Sequence, residues 1–193
     1  MDIVVATNNK GKLAEIKKIL KDHNVLSQND VGAFVDVDET GTTYEENALL
    51  KAQAVRAYTD KIIIADDSGL EVDVLGGEPG LYSARYAGEG TTPDQGMDKL
   101  LAKLAGFSFK EKTARFICCI TLLMPSGTVH TFRGECEGFI TDQKCGEHGF
   151  GFDPVFWVES CGKTFAEISD EEKNRISHRY KALNMLKEFL DEL

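Results

Sequence analysis

Residues 61–67, KIIIADD, constrain this chain more than any other stretch. The isoleucine run reads as a short strand, and it ends abruptly in Asp66 and Asp67. Two adjacent carboxylates at the mouth of a strand repel each other unless a cation sits nearby. In that position they can hold a hard cation or draw a proton from water. Ser68 can donate to a phosphate, and Gly69 allows a sharp turn after the acids. The plain alternative is an acidic turn, because Asp-Ser-Gly is common turn vocabulary.

The rest of the chain supplies the frame for such a strand. DIVVAT (2–7) reads as a buried strand, and Leu13, Ile16, Ile19 and Leu20 then follow helical spacing from Lys10 to Lys21. AFVDVDET (33–40) alternates as a strand does and ends in acids. Thr43 is an expected N-cap, with Glu46 three residues on to complete a capping box. The helix it opens turns Ala48, Leu49, Ala52 and Val55 inward. A third helix is expected over 94–105. ARFICCITLLM (114–124) and TVHTFRGECEGFI (128–140) flank PSG and read as a long hairpin. CGEHGFGFDPVFWV (145–158) reads as a glycine loop and then a strand. Ser169, with Glu172 three residues on, caps one last helix through Leu190. Early alternation of strands and helices with a later hairpin predicts a mixed α/β sheet with helices on both faces. The 193 residues show no repeat and no linker, so 1–193 reads as a single domain.

Composition excludes several classes. The net charge of −10 argues against a broad nucleic-acid footprint, though a few cations gathered at one site can still hold a small phosphate ligand. No apolar run approaches the ~20 residues of a membrane span. The opening MDIVVATNNKGK has no basic start or long apolar centre, which predicts a cytoplasmic protein. The five cysteines are odd in number and form no C-x-x-C pair, so buried free thiols are expected rather than zinc or disulfides.

Three other segments carry chemistry. ATNNKGK (6–12) places a polar turn between strand and helix, where helical N–H groups can meet an anion. Asn8 and Asn9 offer amides, Gly11 permits close approach, and Lys10 and Lys12 add charge. The frame is not that of a Walker A loop, and a plain β–α turn with solvated lysines is the alternative. HGFGFDP (148–154) sets Phe150 and Phe152 around Gly151, followed by Asp153. Aromatic faces stack on nucleobases; a hairpin loop with one core phenylalanine is the alternative. EEKNRISHRYKAL (171–183) brings Lys173, His178 and Arg179 together near a helix start. Glu39 could complete a cation's oxygen ligands or be a solvated glutamate.

In order, the segments ATNNKGK, ETGTTYEENALLKA, ADDSGLEVDVLGGEPGLYSARYAG, GFGFDPVF and EEKNRISHR resemble the Ham1/ITPA/RdgB family, the inosine and xanthosine triphosphate pyrophosphatases. The likeness spans nearly the whole chain. It implies an elongated mixed sheet flanked by helices, two lobes with a cleft between them, and a homodimer. It implies hydrolysis of non-standard purine nucleoside triphosphates, namely ITP, dITP and XTP, to the monophosphate and pyrophosphate, with Mg²⁺ as cofactor. It also implies residue roles. Thr7, Asn8, Asn9, Lys10, Gly11 and Lys12 match the triphosphate loop, and Lys51 and Ser68 match substrate contacts. Arg85 is expected to face the phosphates. Asp67 matches the general base and, with Glu39, the metal-binding acids. Phe150, Gly151, Phe152 and Asp153 match the base-binding segment, Lys173 a further contact, and His178 and Arg179 the readers of a purine 6-oxo group. The chain departs from the family pattern at Asn8, where glycine is frequent, and at Phe152, where tyrosine is. Two rivals stand beside this reading: a nucleotide sensor that does not turn over, and a Maf-like pyrophosphatase for other triphosphates. The terminal S-H-R and the D-D-S-G-L block speak against the second.

Overall fold

The computed structural model describes residues 1–193, which form two compact units. Unit 1 comprises residues 1–67, 118–134 and 178–193; unit 2 comprises 68–117 and 135–177. Seven strands form one sheet: β1 (Asp2–Val5), β2 (Asn24–Ser27), β3 (Ile62–Val72), β4 (Thr113–Leu123), β5 (Val129–Ile140), β6 (Phe156–Val158) and β7 (Lys163–Thr164). Their order is β2-β1-β3-β4-β5-β6-β7. β1 runs parallel to β2 and β3, whereas β6 is antiparallel to β5 and β7. The mixed α/β sheet expected from the sequence is therefore present.

In unit 1 both faces of β1 and of the first half of β3 are covered, which is why those stretches are apolar without alternation. Ile3, Val5, Ile62 and Ile64 pack with Ile16 and Leu20 and with Ala182, Leu183, Leu186 and Leu190. The first two belong to α1 (Lys10–Ile19) and its C-cap, the other four to α5 (His178–Asp191). On the other face Val4, Ala6, Ile63 and Ala65 meet Ala52 and Val55 of α2 (Tyr44–Arg56). Unit 2 has its own core, in which Met97, Leu100 and Leu104 of α3 (Pro93–Leu104) join Phe116, Phe152, Phe156 and Phe165.

Four local expectations are corrected. β3 does not end at the aspartates but continues to Val72, because Leu70 and Val72 reach the core of unit 2 and Gly69 stays in the strand. Residues 33–40 are not a strand, although buried and exposed positions alternate along them. Their Val35 carbonyl accepts instead from the side-chain amides of Asn8 at 3.0 Å and Gln28 at 2.9 Å. Thr43 caps α2 as expected, but Glu46 reaches the N–H and hydroxyl of Thr42 rather than closing a box on Thr43. The single last helix is two, α4 (Asp170–Ile176) and α5, separated at Ser177, whose ψ of 158° is extended. Ser169 and Glu172 do form the capping box of α4. The β4–β5 hairpin agrees with the sequence, and all five thiols are free, but only Cys118, Cys119 and Cys136 are buried as expected, whereas Cys145 and Cys161 are half-buried.

Candidate active site

In the middle of β3, Asp66 and Asp67 point to different environments, because successive side chains along a strand face opposite ways. Asp67 meets the ammonium of Lys51 at 2.9 Å, and the same ammonium lies 2.9 Å from Glu39. Lys51 is carried by α2, and Glu39 by the extended segment just before it. The buried amide of Asn47 accepts from the N–H of Gly41 at 2.8 Å and donates to Asp67 Oδ2 at 3.4 Å. This ties the catalytic candidate to the segment carrying Glu39.

Asp66 is 1% exposed and accepts twice from the Arg179 guanidinium, at 3.2 and 3.1 Å. Lys12 lies 3.2 Å from the same oxygen, Oδ2. Arg179 also donates to Glu15 of α1. The other Asp66 oxygen, Oδ1, is buried without a hydrogen-bond partner in the protein. Arg179 and its neighbour His178 both lie buried in the first turn of α5.

The electrostatics separate the two aspartates. Burial opposes ionisation of Asp66, but Lys12, then Arg179 and Lys51, outweigh it and hold its carboxyl well below the usual carboxylate range. Burial raises Asp67, and the charge of Glu39 adds to it against the pull of Lys51. Burial also works against the Lys51 ammonium, yet Asp67, Asp66 and Glu39 together raise it. One cation facing three carboxylates stays charged, while repulsion among the carboxylates offsets part of what each gains from it. Asp66 is thus a fixed anion, and Asp67 is more basic than an ordinary aspartate.

The polar turn before α1 is organised by its own side chains. Asn9 caps the helix through the Lys12 N–H at 3.0 Å, and Thr7 Oγ1 accepts from the Asn9 N–H at 3.1 Å. Asn8 is engaged by Val35 and by Gln28, whose amide donates to it at 2.8 Å. Two of the amides available for an anion at this turn are therefore used internally. Lys10 and Asn9 are exposed, and Gly11 lies in the first helical turn.

Unit 2 brings together the second set of expected residues. Asp153, 2% exposed, accepts from the Phe150 N–H at 3.0 Å and from the Lys173 ammonium at 2.6 Å. That ammonium lies 4.7 Å from the centre of the Phe150 ring. Gly151 permits the turn with φ +63°. Phe152 is committed to the core: Gly96 lies under it, and Tyr86 presents an edge contact at 6.4 Å. Phe150, half-buried, is the aromatic residue of this segment outside that core. Ser68 is half-buried in β3, and Arg85 stacks over the exposed Tyr82 ring at 5.2 Å.

Glu15 and Asn47 were not among the site residues expected from the sequence, and Asp66 was expected only as half of a cation-holding acid pair, not as the partner of Lys12 and Arg179. Asp66 carried a signal, since one of two adjacent acids on a strand must face away from its neighbour. Glu15 and Asn47 carried none that local pattern reveals.

A mixed sheet with helices packed on it, one of whose interior strands bears two acids answered by lysines and an arginine, defines an α/β protein with a charged site on its sheet. Residues 3–189 match the model of the Ham1 family. A dITP/XTP pyrophosphatase of Staphylococcus epidermidis is 47% identical over 190 residues, 98% of this chain and 96% of that protein. One from Halalkalibacterium halodurans is also 47% identical, covering 97% of this chain and 98% of that one. The solved Ham1 protein of Staphylococcus aureus superposes with a TM-score of 0.89 at 45% identity, over 100% of this chain and 99% of that one. The HAM1 protein of Coxiella burnetii gives 0.90 at 37% identity, over 100% of both chains. The chain belongs to the Ham1 family.

Proposed function

We propose that this protein hydrolyses non-standard purine nucleoside triphosphates, dITP, ITP and XTP, to the nucleoside monophosphate and pyrophosphate, so clearing deaminated purines from the nucleotide pool. The observation that carries the reading is the Lys51 ammonium seated between Glu39 and Asp67, in a chain kin along its whole length to dITP/XTP pyrophosphatases.

Glu39 and Asp67 already converge on one positive charge, and hard carboxylate oxygens suit a divalent cation. No group of three or more His, Cys, Asp or Glu side chains forms a complete protein cage. Mg²⁺ takes one or two carboxylates and completes its shell with water and phosphate, so Glu39 and Asp67 suffice as its protein ligands. Bound there by Glu39 and Asp67, Mg²⁺ would neutralise phosphate charge and polarise the reacting phosphoryl group.

The chain's own residues do the rest. Asp67 accepts the proton of the water that attacks the α-phosphorus. Lys12 and Lys51 draw in the triphosphate, which carries about four negative charges near neutral pH and could not otherwise approach an acidic protein. Thr7, Asn8, Asn9, Lys10 and Gly11 shape the turn that receives it, and Ser68 and Arg85 add donors. Phe150 supplies a ring face for the purine, stiffened by Asp153 and Lys173, and Gly151 and Phe152 hold that loop in place. His178 and Arg179 donate to the 6-oxo group of hypoxanthine or xanthine. Adenine presents an amine there, so donor would face donor.

The protein is further proposed to act in the cytoplasm as a homodimer. Sedimentation equilibrium should then read twice the 21.3 kDa chain mass, and a monomer across micromolar concentrations would refute the dimer. No helix is long and apolar enough to cross a membrane. A panel of triphosphates with Mg²⁺, with pyrophosphate and orthophosphate followed separately, tests the activity. Pyrophosphate released from dITP, ITP and XTP well ahead of dATP is the expected result; binding without product would identify a sensor instead.

A further inference from the structure

Lys12 and Arg179 meet the same carboxylate oxygen. Asp66 Oδ2 lies 3.2 Å from the Lys12 ammonium and takes both the Nε and Nη2 hydrogens of Arg179. Asp66 is 1% exposed, and its other oxygen finds no hydrogen-bond partner in the protein. The two cations come from distant parts of the chain, Lys12 from the first turn of α1 and Arg179 from the first turn of α5. Two cations on one buried carboxylate oxygen repel each other and compete for its lone pairs, so each weakens the other's hold, and the low effective dielectric enlarges the effect. If Lys12 is lost, Arg179 loses both a repelling neighbour and a competitor for Oδ2, and Asp66 holds it more tightly.

We propose that Asp66 is a positioning residue that couples Lys12 to Arg179, so that the cation meeting the triphosphate helps set how strongly the base is read. The inference rests on the roles given above to Lys12 and Arg179. With Lys12 in place, Asp66 holds Arg179 only in part, and the guanidinium can meet a 6-oxo group. With Lys12 removed, Asp66 holds Arg179 more tightly, and less of its charge reaches the base. Glu15 restrains the same guanidinium through Nη1, and that hold is common to the parent and to every variant compared.

The consequence separates this from a simple phosphate contact. A lysine that touches only phosphate serves dITP and dATP alike, so replacing it lowers kcat/KM for both by one factor. Here Lys12→Met lowers both rates and also narrows the dITP over dATP preference by about fivefold, the scale of coupling seen between groups in one charged network. In an Asp66→Asn background the same substitution leaves the preference unchanged within about twofold. The experiment measures kcat/KM for dITP and dATP in the parent, in each single variant and in the double variant, with circular dichroism to check folding. An unchanged preference in Lys12→Met overturns the coupling, and so does an equal narrowing in the Asp66→Asn background. Should Asp66→Asn fail to fold, Lys12→Met against the parent decides alone. A parent that releases no pyrophosphate from dITP overturns the proposed function, and this inference with it. A parent active on dITP with an unaltered preference in Lys12→Met overturns the inference only.

Discussion

Asp66 and Asp67 differ by one position and by almost everything that matters chemically. A strand turns neighbouring side chains to opposite faces, so one carboxylate meets Lys12 and Arg179 while the other meets Lys51. The first is locked as an anion and cannot serve as a base near neutral pH. The second is raised by burial and is the one proposed to accept the proton. Asp67→Asn keeps the shape and removes proton acceptance. It should cut kcat by roughly 10²–10⁴, while equilibrium binding of dITP, measured by calorimetry, stays within about tenfold. Near-parental turnover would show that the proton goes elsewhere. The presence of a reactive acid pair was legible in IIIADD. Which acid faces which cation was not, because Lys12, Lys51 and Arg179 arrive from three separate helices and no local pattern brings them together.

Elements were legible where local chemistry decides them. The caps at Thr43 and Ser169 form because a side-chain oxygen meets a helical N–H three residues on, which is written in adjacent letters. The alternation over 33–40 was real in burial but misleading as a strand, since side-chain amides from Asn8 and Gln28 take the place of a neighbouring ladder. The break at Ser177 was hidden because the apolar spacing continues across it. Gly134 shows what a single position in an element can do. A Cβ there would lie 2.2 Å from the His178 carbonyl oxygen and 2.6 Å from the Ala182 nitrogen. Backbone meets backbone at that point, and a glycine within a strand is the sequence signal for such close approach. Gly134→Ala should therefore destabilise by about 1–3 kcal/mol in urea denaturation and disturb the helix start that holds His178 and Arg179. Gly106→Ala, where a Cβ meets nothing within 4 Å, should change stability by no more than about 0.5 kcal/mol. Equal effects of the two would remove Gly134 from the account.

At the scale of the whole molecule, an acidic chain handles a polyanion by local arrangement rather than by net charge. The formal charge is −10, yet Lys12, Lys51 and Arg179 are gathered in unit 1 around Asp66, Asp67 and Glu39. Each unit carries its own apolar core, and β3, β4 and β5 contribute residues to both. The family was readable because its segments keep their order from residue 6 to the S-H-R end. The central claim is that water held by Asp67 attacks the α-phosphorus, with pyrophosphate leaving. Hydrolysis of dITP in water labelled with heavy oxygen, with the products weighed by mass spectrometry, tests it most directly. The account predicts the label in dIMP and none in pyrophosphate; label in the pyrophosphate would place the attack on the β-phosphorus and contradict it.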